Sequence, residues 1–383
     1  MKAHIIGYHT TKFGELWEKS LFDLVEDTVM GVLENANIEL EKIDAIFFGN
    51  MLGGILENNL HAGAKIADIF GLTIPIFRVE GACASGGLAF HLAHEYVQSG
   101  KGKTVLVVGA EKMTDVQPEF ITQGLMSAAS GEEQESGVTF PGLYALMARI
   151  YLKKYNYDRK NLAAVAIKNH AHGVLNPTAH FRKAITMEQA LQSSTIAEPL
   201  GLLDCSPVSD GAASLIISSD TSLIKGKNKI QILSSQVATD SISLLQRDSL
   251  IELKATQVAA EKAFAEAKIK RSDVSLAEVH DCFTIAELFA MEDLGFWKKG
   301  EAGMRALQFE TLRDNNGPLI VNTSGGLKAS GHPVGATGIK QIGELYLQLT
   351  GQADKRQVKD SKYGLAHNVG GSGGTAVVTI VGI

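Results

Sequence analysis

The second half of this chain repeats the first. After Met1, "KAHIIGY" reads as a strand and "LFDLVEDTVMGVLENANI" as a helix, with Leu21, Leu24, Val25, Val29, Val32 and Leu33 near helical spacing. "IDAIFFGN" is a strand, "AGAKIADIFG" a short helix and "PIFRVEG" a strand. "SGGLAFHLAHEYVQSG" is a helix ending at Gly100, and "TVLVVGAEK" is a strand. The order then returns. "IQILSSQVAT" is a strand, "LKATQVAAEKAFAEAKI" a helix, "LAEVHDCF" a strand end, "IAELFAMEDLG" a helix and "PLIVNTSGG" a strand. "GATGIKQIGELYLQLTG" is a helix, and "YGLAHNVGG" and "GTAVVTIVG" are strands. "NIELEKIDAIFFGN" parallels "KIKRSDVSLAEVHD" in length and in where the strand falls. The period is too long for a solenoid repeat. Apolar strands alternating with helices predict an α/β fold whose parallel-rich sheet is covered on both faces.

Between the halves, Pro118 to Ala197 has a mixed pattern. "SGEEQESGVTFPG" reads as a loop, while "LYALMARIYLKKY" and "KNLAAVAIKNHAHG" read as amphipathic helices. "SPVSDGAASLIISS" returns to strand and completes the first half. The expected division is therefore 1–117 with 198–223 for the first half, 118–197 for an inserted loop domain, and 224–383 for the second half. A chain of 383 residues suits two core units plus an insertion.

The formal net charge of −6 gives no basic footprint for nucleic acid. No apolar run approaches the roughly 20 residues of a membrane span, and the start lacks a signal-peptide pattern. Three cysteines, Cys83, Cys205 and Cys282, are too few and too scattered for a disulfide framework or a zinc site. A cytoplasmic setting is the expectation.

Cys83 lies between "PIFRVEG" and "SGGLAFHLAHEY", at or just before a helix N-terminus, where unpaired N–H groups and the helix dipole favour a thiolate. Small neighbours leave room for a substrate. On this segment alone, a buried structural cysteine is as open a reading as a nucleophile. The corresponding loop of the second half, "VNTSGGLKASGHPVGATG", carries His332 where the first half has its thiol. If the halves pack about a pseudo-twofold axis, the two loops meet as a Cys–His pair, with the imidazole drawing the proton. "EVHDCF" places His280 and Cys282 at a strand end. "HNVGGSGG" precedes a strand, so it is neither a dinucleotide loop nor a P-loop, though its N–H groups suit an oxyanion. Cys205 is expected to pack near a strand start, and His170 and His172 on the surface or against a loop.

"EGACASGG", "HDCF", "NTSGGLKASGHPVGATG" and "HNVGGSGG", in this order and at these separations, resemble the thiolase family. The nearest branch is that of the sterol-carrier-protein-X-type thiolases and the archaeal and bacterial acetyl-CoA acetyltransferases. "KNHAHGVLNPTAHFRKAIT" in the insertion is similar to that branch too. The likeness spans essentially the whole chain and implies a duplicated α/β/α/β/α layered fold with an inserted loop domain. It implies Cys83 as the acyl-carrying nucleophile and His332 as its activator and a donor to the thioester oxygen. Most thiolases have Asn-Glu-Ala-Phe in place of "HDCF", and a second catalytic cysteine where this chain has Asn368. The resemblance therefore transfers the proton shuttle to Cys282 and an oxyanion role to His280. The N–H groups of Cys83 and Gly370 would form a second oxyanion hole. Asn322, Ser330, His367 and Asn368 are candidates for substrate binding, and Lys168, Arg182 and Lys183 for CoA phosphates.

The implied reaction joins two acetyl-CoA into acetoacetyl-CoA and CoA, reversibly, with no metal or redox cofactor. Thiolysis of longer or branched 3-oxoacyl-CoA is one alternative, and a non-catalytic acyl-CoA-binding or scaffold subunit is another. Relatives imply a homodimer or tetramer, with "TVLVVGAEK" near the twofold. They also bring hydroxymethylglutaryl-CoA synthase and a small CoA-site-sharing protein into view as partners, and lipid metabolism through the mevalonate pathway as the setting. No sterol-carrier module is expected after Ile383.

Overall fold

The computed structural model describes residues 2–224, 229–315 and 317–383. The first half runs β1 (His4–Thr10), α1 (Leu21–Ala36), β2 (Ala45–Gly49), α2 (Ala62–Phe70), β3 (Ile76–Val79), α3 (Ser85–Gln98) and β4 (Thr104–Glu111). The excursion holds α4 (Pro118–Met126), α5 (Gly131–Glu135), α6 (Phe140–Tyr155), α7 (Arg159–Leu175), α8 (Met187–Gln192) and a hairpin of β5 (Thr195–Ala197) and β6 (Leu200–Gly201). β7 (Gly211–Ser218) closes the first half. The second half runs β8 (Ile230–Thr239), α9 (Lys254–Ala267), β9 (Leu276–Glu278), α10 (Thr284–Asp293), α11 (Ala302–Leu307), β10 (Ile320–Val321), α12 (Gly326–Ser330), α13 (Val334–Thr350), β11 (Tyr363–Gly370) and β12 (Thr375–Gly382).

The main sheet orders its strands β10-β9-β11-β12-β8-β1-β7-β4-β2-β3. Read outward from the middle, each half gives its own first, fifth, fourth, second and third strand. Directions match as well: the outer three strands of each half are parallel and the inner pairings antiparallel. The halves join where β1 and β8 pair antiparallel, His4 to Gln231 and Ile5 to Ile230. The repeat in the sequence is thus a repeat of topology. The expectation of a parallel-rich sheet is corrected: four pairings are parallel and five antiparallel. An apolar run reports that helices cover both faces of a strand, and it does so for either direction.

Helices α3 and α13 pack on each other and touch strands of both halves, so they form the inner layer. Helix α1 covers β1, β4 and β7 on one outside, and α9 covers β8 and β12 on the other. The inner helices approach so closely that glycine is required. A Cβ on Gly86 would lie 2.6 Å from the Gly335 carbonyl, and one on Gly338 would lie 2.3 Å from the Gly87 nitrogen. The small residues after Cys83 therefore serve this contact as well as the space beside the thiol.

Three further expectations are corrected. "SGEEQESGVTFPG" contains helix α5, started by a capping box in which Ser130 and Glu133 bond reciprocally. Helix α7 is buried around most of its circumference, because α8, α10, α11 and α12 enclose it. His170 and His172 are consequently interior rather than surface residues, and each packs against a loop, as the other expected placement has it, through the Lys183 and Asn322 carbonyls at 2.9 Å. Strand β4, expected near a twofold interface, is fully buried between β2 and β7. The open edge belongs to β3, where Phe77 is 45% exposed. Among the described residues, no helix is long and apolar enough to cross a membrane.

Candidate active site

Cys83 sits in the turn from β3 into α3, one residue before the N-cap Ala84. The turn is tight: Ala82 has φ +52°, an uncommon left-handed conformation for a residue with a side chain. Ser85 Oγ accepts from the Gly81 N–H at 3.0 Å and donates to the Ala82 carbonyl at 2.6 Å, which holds that conformation. His332 occupies the matching loop of the second half, between α12 and α13. His280 follows β9. The Cys83 sulfur and one nitrogen from each ring all lie within 4.8 Å of one another. The two rings meet edge to face, with centroids 5.1 Å apart.

The hydrogen bonds distinguish the two imidazoles. Thr337 gives its hydroxyl proton to the Pro333 carbonyl at 3.0 Å, so at 2.7 Å it accepts from His332 Nδ1–H. His332 Nε2 is left with a lone pair. Asn368 Nδ2 donates to His280 Nδ1 at 3.2 Å, so the His280 proton sits on Nε2. Both Nε2 atoms are buried without a protein partner. One ring therefore offers a base and the other a donor.

Burial pushes the Cys83 thiol up to about 12, against the pull of the Gly371 N–H. Burial, reinforced by the nearby Lys340, holds His332 down to about 3. His280 is held well down by burial, with His332 and His367 adding to it. The expectation of a preformed thiolate at a helix N-terminus is corrected here: the resting centre is a thiol beside two neutral imidazoles. One helix end does not offset the loss of water around the sulfur. Cys282 is buried, and burial also drives its thiol well above the usual range.

Cys83, Cys282 and His332 line one cleft of about 490 Å³. Tyr144, Phe140 and Phe283 form part of its wall, and Trp17, Thr114, Pro207 and Val208 also line it. Gly371 lines it too. Gly370, expected to donate to an acyl oxygen, is the last residue of β11, opposite Thr375. Cys205 is on the cleft wall rather than solely packed against a strand start.

None of the four substrate-binding candidates lines this cleft. Asn368 donates to the Cys83 carbonyl at 3.0 Å and accepts from the Gly87 N–H at 3.0 Å, so its amide is engaged in positioning. His367, its neighbour in the strand, bonds Thr256 of α9 at 2.9 Å. Successive side chains leave opposite faces of β11. Asn322 accepts from the Val279 N–H and donates to Glu287, each at 2.8 Å. Ser330 is buried. Lys168 is buried and paired with Glu287 at 2.5 Å, which removes it from any phosphate. Arg182 and Lys183 are exposed and lie outside the cleft lining. Sequence reasoning missed Tyr144, Thr337 and Gly371. Thr337 had a signal, one helical turn beyond the Gly-His-Pro loop; Tyr144 had none.

Two thiols and a neutral imidazole on one apolar cleft, with a second imidazole beside Cys83 and His332, make a site suited to carrying an acyl group on cysteine. The chain belongs to the thiolase family. The thiolase N-terminal domain matches residues 3–221, and the thiolase C-terminal domain-like region matches residues 236–383. The chain is 45% identical over 379 residues to an acetyl-CoA acetyltransferase of Methanothermobacter thermautotrophicus, covering 98% of each. It is 31% identical to sterol carrier protein 2 of Gallus gallus over 99% of this chain and 71% of that one. The Ltp2–ChsH2(DUF35) aldolase shares the fold, with a TM-score of 0.85 at 21% identity over 99% of this chain and 97% of that one.

Proposed function

We propose that the protein is an acetyl-CoA C-acetyltransferase that joins two acetyl-CoA into acetoacetyl-CoA and CoA. The observation that carries the reading is the convergence of Cys83, His332 and His280 within 4.8 Å. The activity named for the Methanothermobacter relative supports it. Cys83 gives its proton to His332 Nε2 as its sulfur attacks the first thioester. CoA leaves as a thiolate and takes the proton of Cys282. The Cys282 thiolate then removes an α-proton from the second acetyl-CoA. Charge on that thioester oxygen is met by His280 Nε2–H. The carbanion attacks acetyl-Cys83, the carbon–sulfur bond breaks, and the Cys83 thiolate recovers its proton from His332. Protons balance over the cycle, and the route as written uses no metal or redox cofactor.

The test separates the thiols. Cys83→Ala should not be acetylated by acetyl-CoA, as read by intact-protein mass. Cys282→Ala should be acetylated but fail to condense, with a loss of about 10²–10⁴-fold for a missing base. Condensation by Cys282→Ala near the native rate would refute its role and move the search for a base to His280, His332 and His367.

The reading extends to partners. The open β3 edge suits a second copy of the chain. Hydroxymethylglutaryl-CoA synthase and a small CoA-site-sharing protein are proposed from the resemblance, and the DUF35 component of the aldolase complex accords with the latter. A cytoplasmic role, supplying acetoacetyl-CoA to the mevalonate pathway, completes it.

A further inference from the structure

Tyr144 is contributed by α6 of the excursion, yet it reaches the catalytic cleft and is buried there. Its ring lies against Phe283, with centroids 4.6 Å apart, and Phe283 directly follows Cys282 in the chain. Its hydroxyl donates to the Gly371 carbonyl at 3.1 Å. Cys282 lines the same cleft, which makes its sulfur the alternative acceptor. A phenol has one proton to give and two acceptors here. While Cys282 is a thiol, the carbonyl is the better acceptor. A thiolate sulfur reverses that preference, because hydrogen bonds to charged acceptors are the stronger ones.

We propose that Tyr144 is a positioning residue for the second thiol: its hydroxyl turns from the Gly371 carbonyl to Cys282 once that thiol has given its proton to departing CoA. The inference rests on the reading of Cys282 as the base. It explains how a charged sulfur persists among Phe283, Phe140 and Val334 in an apolar cleft until the second substrate arrives. No bond to carbon changes in this step. The Cys282 proton leaves on CoA, the Tyr144 proton stays on its oxygen, and the hydrogen bond alone is redirected. When Cys282 takes the α-proton, the hydroxyl returns to Gly371. Gly371, whose carbonyl holds the hydroxyl at rest, lines the same cleft as both thiols.

The test is Tyr144→Phe, which keeps the ring and its stacking. A hydrogen bond to a charged group corresponds to about a ten- to hundred-fold change in the thiolate population. Condensation of acetyl-CoA should fall by about that factor near neutral pH, and its pH profile should move up by about one to two units. Acetylation of Cys83, read by intact mass, should fall much less. A purely structural role would lower both steps together and leave the pH profile in place. 3-Fluorotyrosine at position 144 keeps the hydroxyl and makes it a stronger donor, so it should move the profile down, and it serves if the phenylalanine variant folds poorly. An unmoved profile in either protein overturns the proposal. Cys282→Ala is run alongside: if it condenses normally, the base assignment itself has failed; if it is inactive while Tyr144→Phe is unaffected, only the tyrosine has been misread.

Discussion

Replacing Asn368 with aspartate changes one heavy atom and inverts the hydrogen bonding of the site. Asn368 Nδ2 donates to the Cys83 carbonyl at 3.0 Å and to His280 Nδ1 at 3.2 Å, while Oδ1 accepts from the Gly87 N–H at 3.0 Å. Aspartate keeps only the last of these. Its second oxygen faces the Cys83 carbonyl without a proton between them, and it draws the His280 proton onto Nδ1. His280 Nε2 then carries a lone pair, and the donor to the thioester oxygen is lost. Removing one such donor typically lowers kcat by about 10²–10³-fold. A buried carboxylate next to an imidazole also raises the imidazole pKa. Doubly protonated His280 again donates from Nε2. That form is populated below the raised pKa and lost as pH rises through it. Asn368→Asp should therefore cleave acetoacetyl-CoA about 10²–10³-fold more slowly than the native enzyme at about pH 8, with activity recovering as pH falls. The assay is thiolysis across the pH range, with kcat and KM separated. The native enzyme, whose His280 already donates while neutral, should show no acidic recovery. A variant within about threefold of native, with the same pH profile, would refute the tautomer argument.

Other outcomes follow from the same geometry. His332→Ala should slow iodoacetamide labelling of Cys83 at neutral pH by about 10²-fold or more, and the deficit should close as pH rises, because the thiol is pushed up to about 12; equal labelling at every pH would mean the two loops do not cooperate. Burial holds His170 down to about 4 and His172, His332 and His367 down to about 3. Unfolded, each binds its proton near about 6.5, so stability from these groups is complete above that pH and is lost as pH falls toward their folded values. The Tm should therefore drop steadily below about pH 6.5, and a flat Tm down to about pH 4.5 would contradict the burial. The protein should be at least a dimer by light scattering at micromolar concentration, and Phe77→Arg on the β3 edge should shift it toward monomer; a monomeric native protein would remove the proposed interface.

The topology was legible because both halves carry the same alternation of apolar runs and glycine-marked turns, and that alternation survives divergence of almost every side chain. Strand direction was not. β7 and β12 return antiparallel beside β4 and β11, yet they look the same in sequence as the parallel strands, because helices cover both faces of each. The excursion was the least legible part. Its helix α7 reads as amphipathic from its polar residues, but Lys168, Asn169 and His172 turn inward to partners on the second half: Glu287, Asp281 and the Asn322 carbonyl. A polar face predicts solvent only where nothing else in the chain supplies matching polar groups.

The pairing of Cys83 with His332 was legible for a reason particular to duplication. Equivalent loops leading into α3 and α13 are brought together by those two helices, so whatever the loops carry is placed face to face. Adjacent letters were less informative. His367 and Asn368 are neighbours in β11, and the pleat sends one to α9 and the other to the catalytic centre. Protonation was the least accessible property of all. A cysteine at a helix start suggests a thiolate, but the sign of the shift depends on how much water the completed cleft admits. Gly371 comes from the far end of the chain and Tyr144 from the excursion, and both reach the cleft only once the fold is closed. The resting thiol is therefore a consequence of tertiary burial, and the proposed route draws its proton to His332 at the moment of attack.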